Sequence, residues 1–413
     1  MYIYKHNTYR VNILFLTENE ISPMMGGTER ITLTLSESFT RMGHRCFLAF
    51  GRRCQLPLVA EFAAKLPYDE ASDQEQAFAD FLSDNQVDIV VSNLVRMPYK
   101  RRLLPLLYRL TRRQGARMVV CLHAMPGEEI VGNSLRSSLW RILHGYSLSK
   151  ALKEMALGIV PTSWIRTLFR RKLQRRYRLL HDNADALVLL SETFNETVSR
   201  LGGIPVDEKF TAIPNALSYS HFADEAEIRA KKNEVLIVAR MDERSKRISA
   251  ALKVWRRVER SGQCPDWKLT VVGGGTDWEW YRRMARRMHL RRVTFTGRQE
   301  DLTPYYRRAS IFMMTSAYEG WGITLTEAQQ FGAVPIVYNS YASLSDVVTD
   351  GENGLVIPDK ETSAYTGALT GLMNDKLRRE RLALSAVDAS RRYETARVSA
   401  RWIDLFESLL NHD

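Results

Sequence analysis

Only four cysteines occur in the 413 residues (Cys46, Cys54, Cys121 and Cys264), widely scattered and with no C-x-x-C pair among them. That scarcity excludes a zinc site or a disulfide framework as the organising feature, and a reducing cytoplasm is the expected setting. No run of about 18 apolar residues is present, so no membrane-spanning helix is expected. The opening stretch, Met1 to Tyr9, lacks the apolar core and cleavage site of a secretory leader. Acidic residues are in deficit, 47 against 59 Lys and Arg, which leaves a net charge of +12. Such a balance favours anionic partners (nucleotides, lipid diphosphates, phospholipid surfaces or nucleic acid) without choosing among them. What is plentiful is apolar: 45% of residues are hydrophobic, enough for full globular cores. The length predicts about two or three domains.

Short β-rich runs alternate with helical patterns through most of the chain. In the first half the runs are Val11 to Leu16, Arg45 to Phe50, Val87 to Ser92, Met118 to Leu122 and Ala186 to Leu190. Gly26-Gly27 follows the first of them, Thr28 is a plausible N-cap, and Ile31, Leu33, Leu35, Phe39 and Met42 carry a helical period toward Gly43. In the second half the strands are predicted at Val235 to Ala239, Lys268 to Val272, Val293 to Thr296, Ile311 to Thr315 and Val334 to Val337. The tail from Glu361 reads as helical, with Trp402, Leu405 and Leu409 on one stripe. Alternation of this kind predicts an α/β chain with doubly wound parallel sheets. A charged stretch from Asp224 to Lys232 is the expected hinge between two halves.

The most informative segment runs from Ser316 to Pro335. A strand end leads into a Gly-broken loop carrying Glu319. A helix then opens near Thr324, with Glu327 about one turn into it, and Gly332-Ala333-Val334-Pro335 starts a new strand. Free N–H groups at a helix start favour anions, and carboxylates beside them can accept hydrogen bonds from sugar or ribose hydroxyls. Glu319-Gly320-Trp321-Gly322, Glu327-Ala328 and Gly332-x-x-Pro335 together resemble the E-x7-E signature of family 4 retaining glycosyltransferases. The resemblance is strong over residues 211–358 and weaker before them. It implies the GT-B fold, two Rossmann-like doubly wound domains facing a central cleft. The implied domains are 1–220, binding the acceptor, and 221–394, binding a nucleotide sugar, with the last helix, about 395–413, packing back on the first. It also implies that Glu319 meets the donor sugar and Glu327 the ribose, with Gly320, Trp321, Gly322, Ile323, Thr324 and Leu325 lining the donor site.

Other motifs are similar to parts of that family. Arg240 and Lys246 follow a strand, as a diphosphate clamp does; a leaving nucleoside diphosphate gains charge, so two cations there favour the transition state. Ala239 stands where the family usually has Gly, and Arg247 competes with Lys246 for the role. Gly26 and Gly27 match a glycine loop near the donor phosphates, and glycine permits that close approach. His123 ends a strand run, where strand ends face the cleft; the resemblance places it near the transferred sugar. Gly297 and Arg298 match a loop beside the nucleobase. Gly273-Gly274-Gly275 lacks the third glycine of a dinucleotide fingerprint, Trp278 standing at that spacing. Asn353-Gly354-Leu355-Val356 resembles a structural tail motif, and Ser343 to Asp346 departs from the family pattern just before it.

No Asp-x-Asp occurs; that motif commonly holds the divalent metal of the other main glycosyltransferase fold. No metal and no cofactor are therefore expected. A basic segment, Trp164 to Arg178, can be a solvated helix, an anionic-membrane patch or a nucleic-acid contact, its polar and apolar faces being poorly separated. The expected partners are a nucleoside diphosphate sugar, a glycan or lipid-linked acceptor and an anionic membrane surface, with no nucleic acid; the expected location is cytoplasmic, peripheral on the inner face of the membrane. The expected activity is retaining, metal-independent sugar transfer in surface polysaccharide or glycolipid assembly. The competing expectations are a non-catalytic basic scaffold on a degenerate transferase fold, and a GT-B sugar epimerase.

Overall fold

The computed structural model describes residues 10–22, 26–54, 62–68, 74–94, 103–128 and 162–411. The chain divides into two units. The first holds residues up to His123, then Leu173–Ser218 and the chain from Tyr393 onward; the second holds Tyr219–Arg392, and the described part of Ala124–Lys172 groups with it. The boundary thus falls at Ser218/Tyr219, and the first unit is assembled from three pieces of sequence rather than the expected two.

The first unit carries a parallel sheet of β1 (Asn12–Asn19), β2 (Arg45–Arg52), β3 (Lys65–Pro67), β4 (Ile89–Ser92), β5 (Arg117–Leu122), β6 (Ala186–Leu189) and β7 (Phe210–Ala212). Their order is β3-β2-β1-β4-β5-β6-β7. Strands covered on both faces read as continuous apolar runs, and β4, β5 and β6 are buried at every position. The order reverses between β1 and β4, where Ile13 lies level with both Cys46 and Ile89. Helix Gly27–Arg41 follows β1 and buries Ile31, Leu35 and Phe39. Its N-cap is Gly26, in extended conformation, not Thr28. The helix starts two residues earlier than capping preference suggests, and Thr28 lies inside its first turn.

The last helix, Thr395–Asn411, packs on Gly27–Arg41 within this unit. Phe39 and Phe406 meet edge to face at 5.8 Å, and Ser399 Oγ lies 2.8 Å from Ser38 Oγ. The buried stripe is Val398, Trp402, Ile403 and Phe406, not Trp402, Leu405 and Leu409. The helix turns its 398/402/406 row to the partner helix, leaving Leu405 and Leu409 half-buried on the flank.

Helix Thr162–Asp182 contains the whole basic segment; the side chains of Trp164, Ile165, Arg166, Leu168 and Phe169 lie outside the described residues. Over its C-terminal half a buried and an exposed face can be told apart, with Arg176 half-buried between them. Leu173, Tyr177 and Leu180 are buried, while Arg170, Arg171, Lys172 and Arg175 are exposed. Arg178 is structural: it donates to the carbonyls of Gly202 and Gly203 and so closes the end of helix Asn195–Gly202.

The second unit carries β8 (Lys232–Val238), β9 (Lys268–Val272), β10 (Val293–Gly297), β11 (Ala309–Met314), β12 (Val334–Asn339) and β13 (Leu355–Pro358), in the order β10-β9-β8-β11-β12-β13. All these pairs are parallel. Trp255, Tyr281, Met284 and Tyr365 from the flanking helices fill a core against Val235, Ile237, Ile311, Met313 and Ile336. The charged stretch expected to be a hinge is a short helix, Glu225–Arg229, held by a reciprocal capping box between Asp224 and Glu227, and it buries Ile228. Hydrogen bonding at its start and an apolar anchor override its charge.

Candidate functional site

In open α/β sheets, ligands bind beyond the strand C-termini where the strand order reverses. In the second unit that point lies between β8 and β11. The segment after β8 holds Arg240 and Lys246, and the segment after β11 holds Glu319. Two strands intervene in sequence, yet β8 and β11 pair directly, with Ile311 level with Val235.

Backbone fit fixes the loop after β8. Met241 N donates to Gly274 O at 2.9 Å, and Asp277 N to Met241 O at 3.0 Å. Gly273 and Gly275 have φ of +136° and +155°; a Cβ on them would lie 1.9 Å from Ala239 O and 2.6 Å from Met241 O. Only glycine tolerates both the conformation and the approach. The Gly273-Gly274-Gly275 turn is therefore a seat for the Arg240 loop. Asp277 Oδ2 then accepts from Glu243 N at 2.8 Å, and Asp242 caps the short helix Glu243–Lys246.

Lys246 ends that helix and places its ammonium 2.5 Å from Glu319 Oε1 and 2.7 Å from Oε2. Ser316 Oγ donates to Glu319 Oε1 at 2.6 Å. Lys246, Ser316 and Glu319 line one small pocket with Val238, Ala239 and Met314. Arg240 begins the same loop, its side chain 63% exposed and its guanidinium 3.6 Å from Asp242, leaving it open to an incoming anion. Arg247 takes a different part: it donates to Thr315 O, Ser316 O and Asp359 Oδ1. Of the two candidates, Lys246 is the one in the pocket.

Helix Ile323–Gln330 opens at Gly322, which is left-handed (φ +90°) and provides no side-chain cap. Its first N–H groups thus have no side-chain acceptor at the N-cap, and Ile323 and Thr324 are half-buried there. Trp321 and Leu325, in contrast, are buried and pack inward. Glu327 is fully buried, and its Oε2 accepts from Tyr306 OH at 2.9 Å. Glu319 and Glu327 therefore do different work: the first sits in the pocket, the second is anchored in the interior. Arg298 is exposed beside Gly297, whose carbonyl accepts from Gly273 N at 2.9 Å. Asn353 and Gly354 are structural: Asn353 bonds Thr349 N and Val347 O, and a Cβ on Gly354 would meet Pro335 Cγ at 2.6 Å.

In the first unit a polar chain crosses the strand C-termini. Thr32 Oγ1 accepts from Asn93 Nδ2 at 2.9 Å, and Asn93 Oδ1 lies 3.0 Å from His123 Nε2. With the Asn93 amide nitrogen used on Thr32, its oxygen faces the ring, so His123 Nε2 carries the proton. Burial pushes the His123 pKa down to about 4, with Asn215 beside the ring offsetting part of the shift. His123 is thus a neutral hydrogen-bonding group at pH 7, and a role as a cation near developing charge is not supported. Gly26 and Gly27 are exposed at the start of helix Gly27–Arg41. Sequence reasoning missed Asn93, Ser316 and Tyr306, which carry no motif of their own; their place just after or before strands β4 and β11 was the available signal.

Among the described residues no group of three His, Cys, Asp or Glu could hold a metal ion. No helix among them is long and apolar enough to cross a membrane.

Among solved structures, Anabaena Alr3699/HepE in complex with UDP matches at TM-score 0.68 and 14% identity, covering 96% of this chain and 100% of that one. The likeness shows the fold class: α/β with two parallel-sheet Rossmann-like units, as in GT-B glycosyltransferases. Residues 220–386 match the family model described as glycosyl transferases group 1. The amylovoran biosynthesis glycosyltransferase AmsD of Erwinia amylovora is 26% identical over 176 residues, 42% of this chain and 48% of that protein. A glycogen synthase of Mycobacterium tuberculosis is 25% identical over 229 residues, 54% of each chain. This chain spans about half the length of the curated relatives it matches.

Proposed function

We propose that this protein is a group 1 glycosyltransferase that moves a sugar from a nucleoside diphosphate sugar to an acceptor hydroxyl, with retention and without a metal, in polysaccharide or glycolipid assembly. The observation that carries the proposal is the meeting of Lys246 and Glu319 at the β8/β11 switch point, beside exposed Arg240 and a helix start without a side-chain cap. A nucleoside diphosphate needs cations and amide dipoles; a sugar needs hydrogen-bond acceptors; this arrangement supplies both. Arg240 and Lys246 would neutralise the leaving diphosphate, joined by N–H groups at Ile323 and Thr324. Glu319 would orient the donor sugar and Gly297 with Arg298 the base; Glu327, buried on Tyr306, would hold in place the helix start that faces the ribose. The first unit is assigned the acceptor, with neutral His123 accepting a hydrogen bond from a sugar hydroxyl through Nδ1 and Gly26-Gly27 allowing close approach. A lipid-linked acceptor and peripheral attachment to an anionic membrane fit the net charge of +12.

The test is a thermal-stabilisation screen of nucleoside diphosphates and their sugars, followed by donor hydrolysis and transfer. At least one nucleoside diphosphate should raise the melting temperature. Arg240→Ala should lower kcat about 100-fold, as removal of a charge-stabilising donor does. Stabilisation by no nucleotide, or full turnover in Arg240→Ala, would refute the assignment.

A further inference from the structure

Arg247 is the residue in the second unit whose commitments the transfer chemistry leaves unexplained. Its backbone is left-handed, φ +46°, a conformation that side chains other than glycine adopt at an energetic cost. Strain of this kind persists where the surroundings over-determine it. Here they do. Arg247 Nε donates to Thr315 O at 2.9 Å and Nη2 to Ser316 O at 2.6 Å, so one planar fork spans two consecutive carbonyls. Nη2 also donates to Asp359 Oδ1 at 2.7 Å, and the guanidinium lies over the Tyr338 ring at 5.6 Å. Other bonds run back the other way. The Thr315 hydroxyl lies 3.2 and 3.1 Å from the Lys246 and Arg247 carbonyl oxygens, its one hydrogen shared between them, and Ala317 N donates to Ser245 O at 2.7 Å. The loop so fastened is the one whose Ser316 hydroxyl holds Glu319. Lys cannot reproduce a fork across two carbonyls, because its ammonium is a point donor.

We propose that Arg247 is the positioning residue of this site: it locks the 315–319 loop to the Lys246 turn and so sets the separation of the Lys246 ammonium and the Glu319 carboxylate. The proposal rests on the reading of those two groups as donor-binding. Arg247 itself touches no ligand in this scheme. It acts through the peptide planes of Thr315 and Ser316, whose placement decides where Glu319 points.

The test compares Arg247→Gly, Arg247→Lys and Asp359→Asn with the wild type. Glycine suits the left-handed backbone, so the first variant removes the fork while relieving the strain. Hydrogen exchange at the amides of Ala317, Tyr318 and Glu319 should accelerate in Arg247→Gly, with the β8 and β9 amides unchanged. Donor turnover should fall about 10- to 100-fold, the penalty of a misplaced reacting group, while affinity for the nucleotide that the screen identifies stays near the wild-type value. Arg247→Lys should recover part of the turnover. Asp359→Asn, which weakens the anchor of the fork and touches nothing in the pocket, should shift exchange the same way to a smaller extent, and it decides the matter if Arg247→Gly does not fold. Unchanged exchange at 317–319, or faster exchange with unchanged turnover, would overturn the proposal. A wild type without turnover or nucleotide binding would strike the functional reading alone, since the exchange arm needs neither.

Discussion

Replacing Tyr306 by Phe removes one oxygen and keeps a ring that is stacked on Phe331 at 5.6 Å and fully buried. What is lost is the donor 2.9 Å from Glu327 Oε2, on a residue with no exposed surface. Hydrogen bonds to charged groups contribute about 1.5–3 kcal/mol net. For units of 150–250 residues each kcal/mol moves the melting temperature by about 2–4 °C, so a drop of about 3–12 °C is expected. Glu327→Gln keeps an acceptor oxygen and removes the charge; on that background the same Tyr306→Phe change should cost only about 0.5–1.5 kcal/mol, a neutral hydrogen bond. The double-mutant cycle should therefore show a coupling centred on about 1 kcal/mol, with the other contacts of Glu327 cancelling between arms. Calorimetry of the full chain supplies the stabilities. Nucleotide affinity measured on the same variants asks whether a loosened Glu327 also weakens ribose binding. A Tyr306→Phe variant within about 0.5 kcal/mol of wild type would place it with ordinary surface substitutions. That result, or equal effects on both backgrounds, would refute the reasoning.

Two further outcomes are expected. Gly273→Ala puts a methyl group 1.9 Å from Ala239 O at φ +136°; about 1–3 kcal/mol of backbone strain and a similar overpacking term should lower the melting temperature, and displacement of the Arg240 loop should weaken nucleotide binding. A variant as stable as wild type, with unchanged affinity, would contradict that geometry. For His123 the folded-state pKa of about 4 lies below the ordinary 6.5, so between those values the unfolded chain binds a proton that the native state does not. Its contribution is complete above about pH 6.5 and is lost as pH falls toward 4, by at most about 3 kcal/mol. The stability difference between wild type and His123→Gln should shrink over that window; a difference independent of pH would remove the claim.

Much of the fold was legible because apolar runs of strand length alternate with helical periods, and that pattern has few solutions. The ends of elements were less legible. Gly26 rather than Thr28 starts a helix, and Glu225–Arg229 is ordered despite its charge, because capping hydrogen bonds and one buried Ile228 outweigh composition. In the candidate site the Glu319 to Glu327 spacing was readable as loop and helix. Which of Lys246 and Arg247 enters the pocket was not readable, since adjacent cations differ only in the direction that a left-handed backbone sends them. Ser316, Tyr306 and Asn93 were invisible because a hydroxyl or amide acquires its role from what stands opposite it.

Sequence alone determined two parallel α/β units and the local order of loop, carboxylate and helix, because periodicity and glycine placement act over a few residues. Tertiary structure decided that Lys246 meets Glu319 across 73 positions, that Glu327 rests on Tyr306, and that Gly273 seats the Arg240 loop. Those are consequences of strand order, in which β8 lies beside β11, and of backbone approaches that only the assembled sheet brings about.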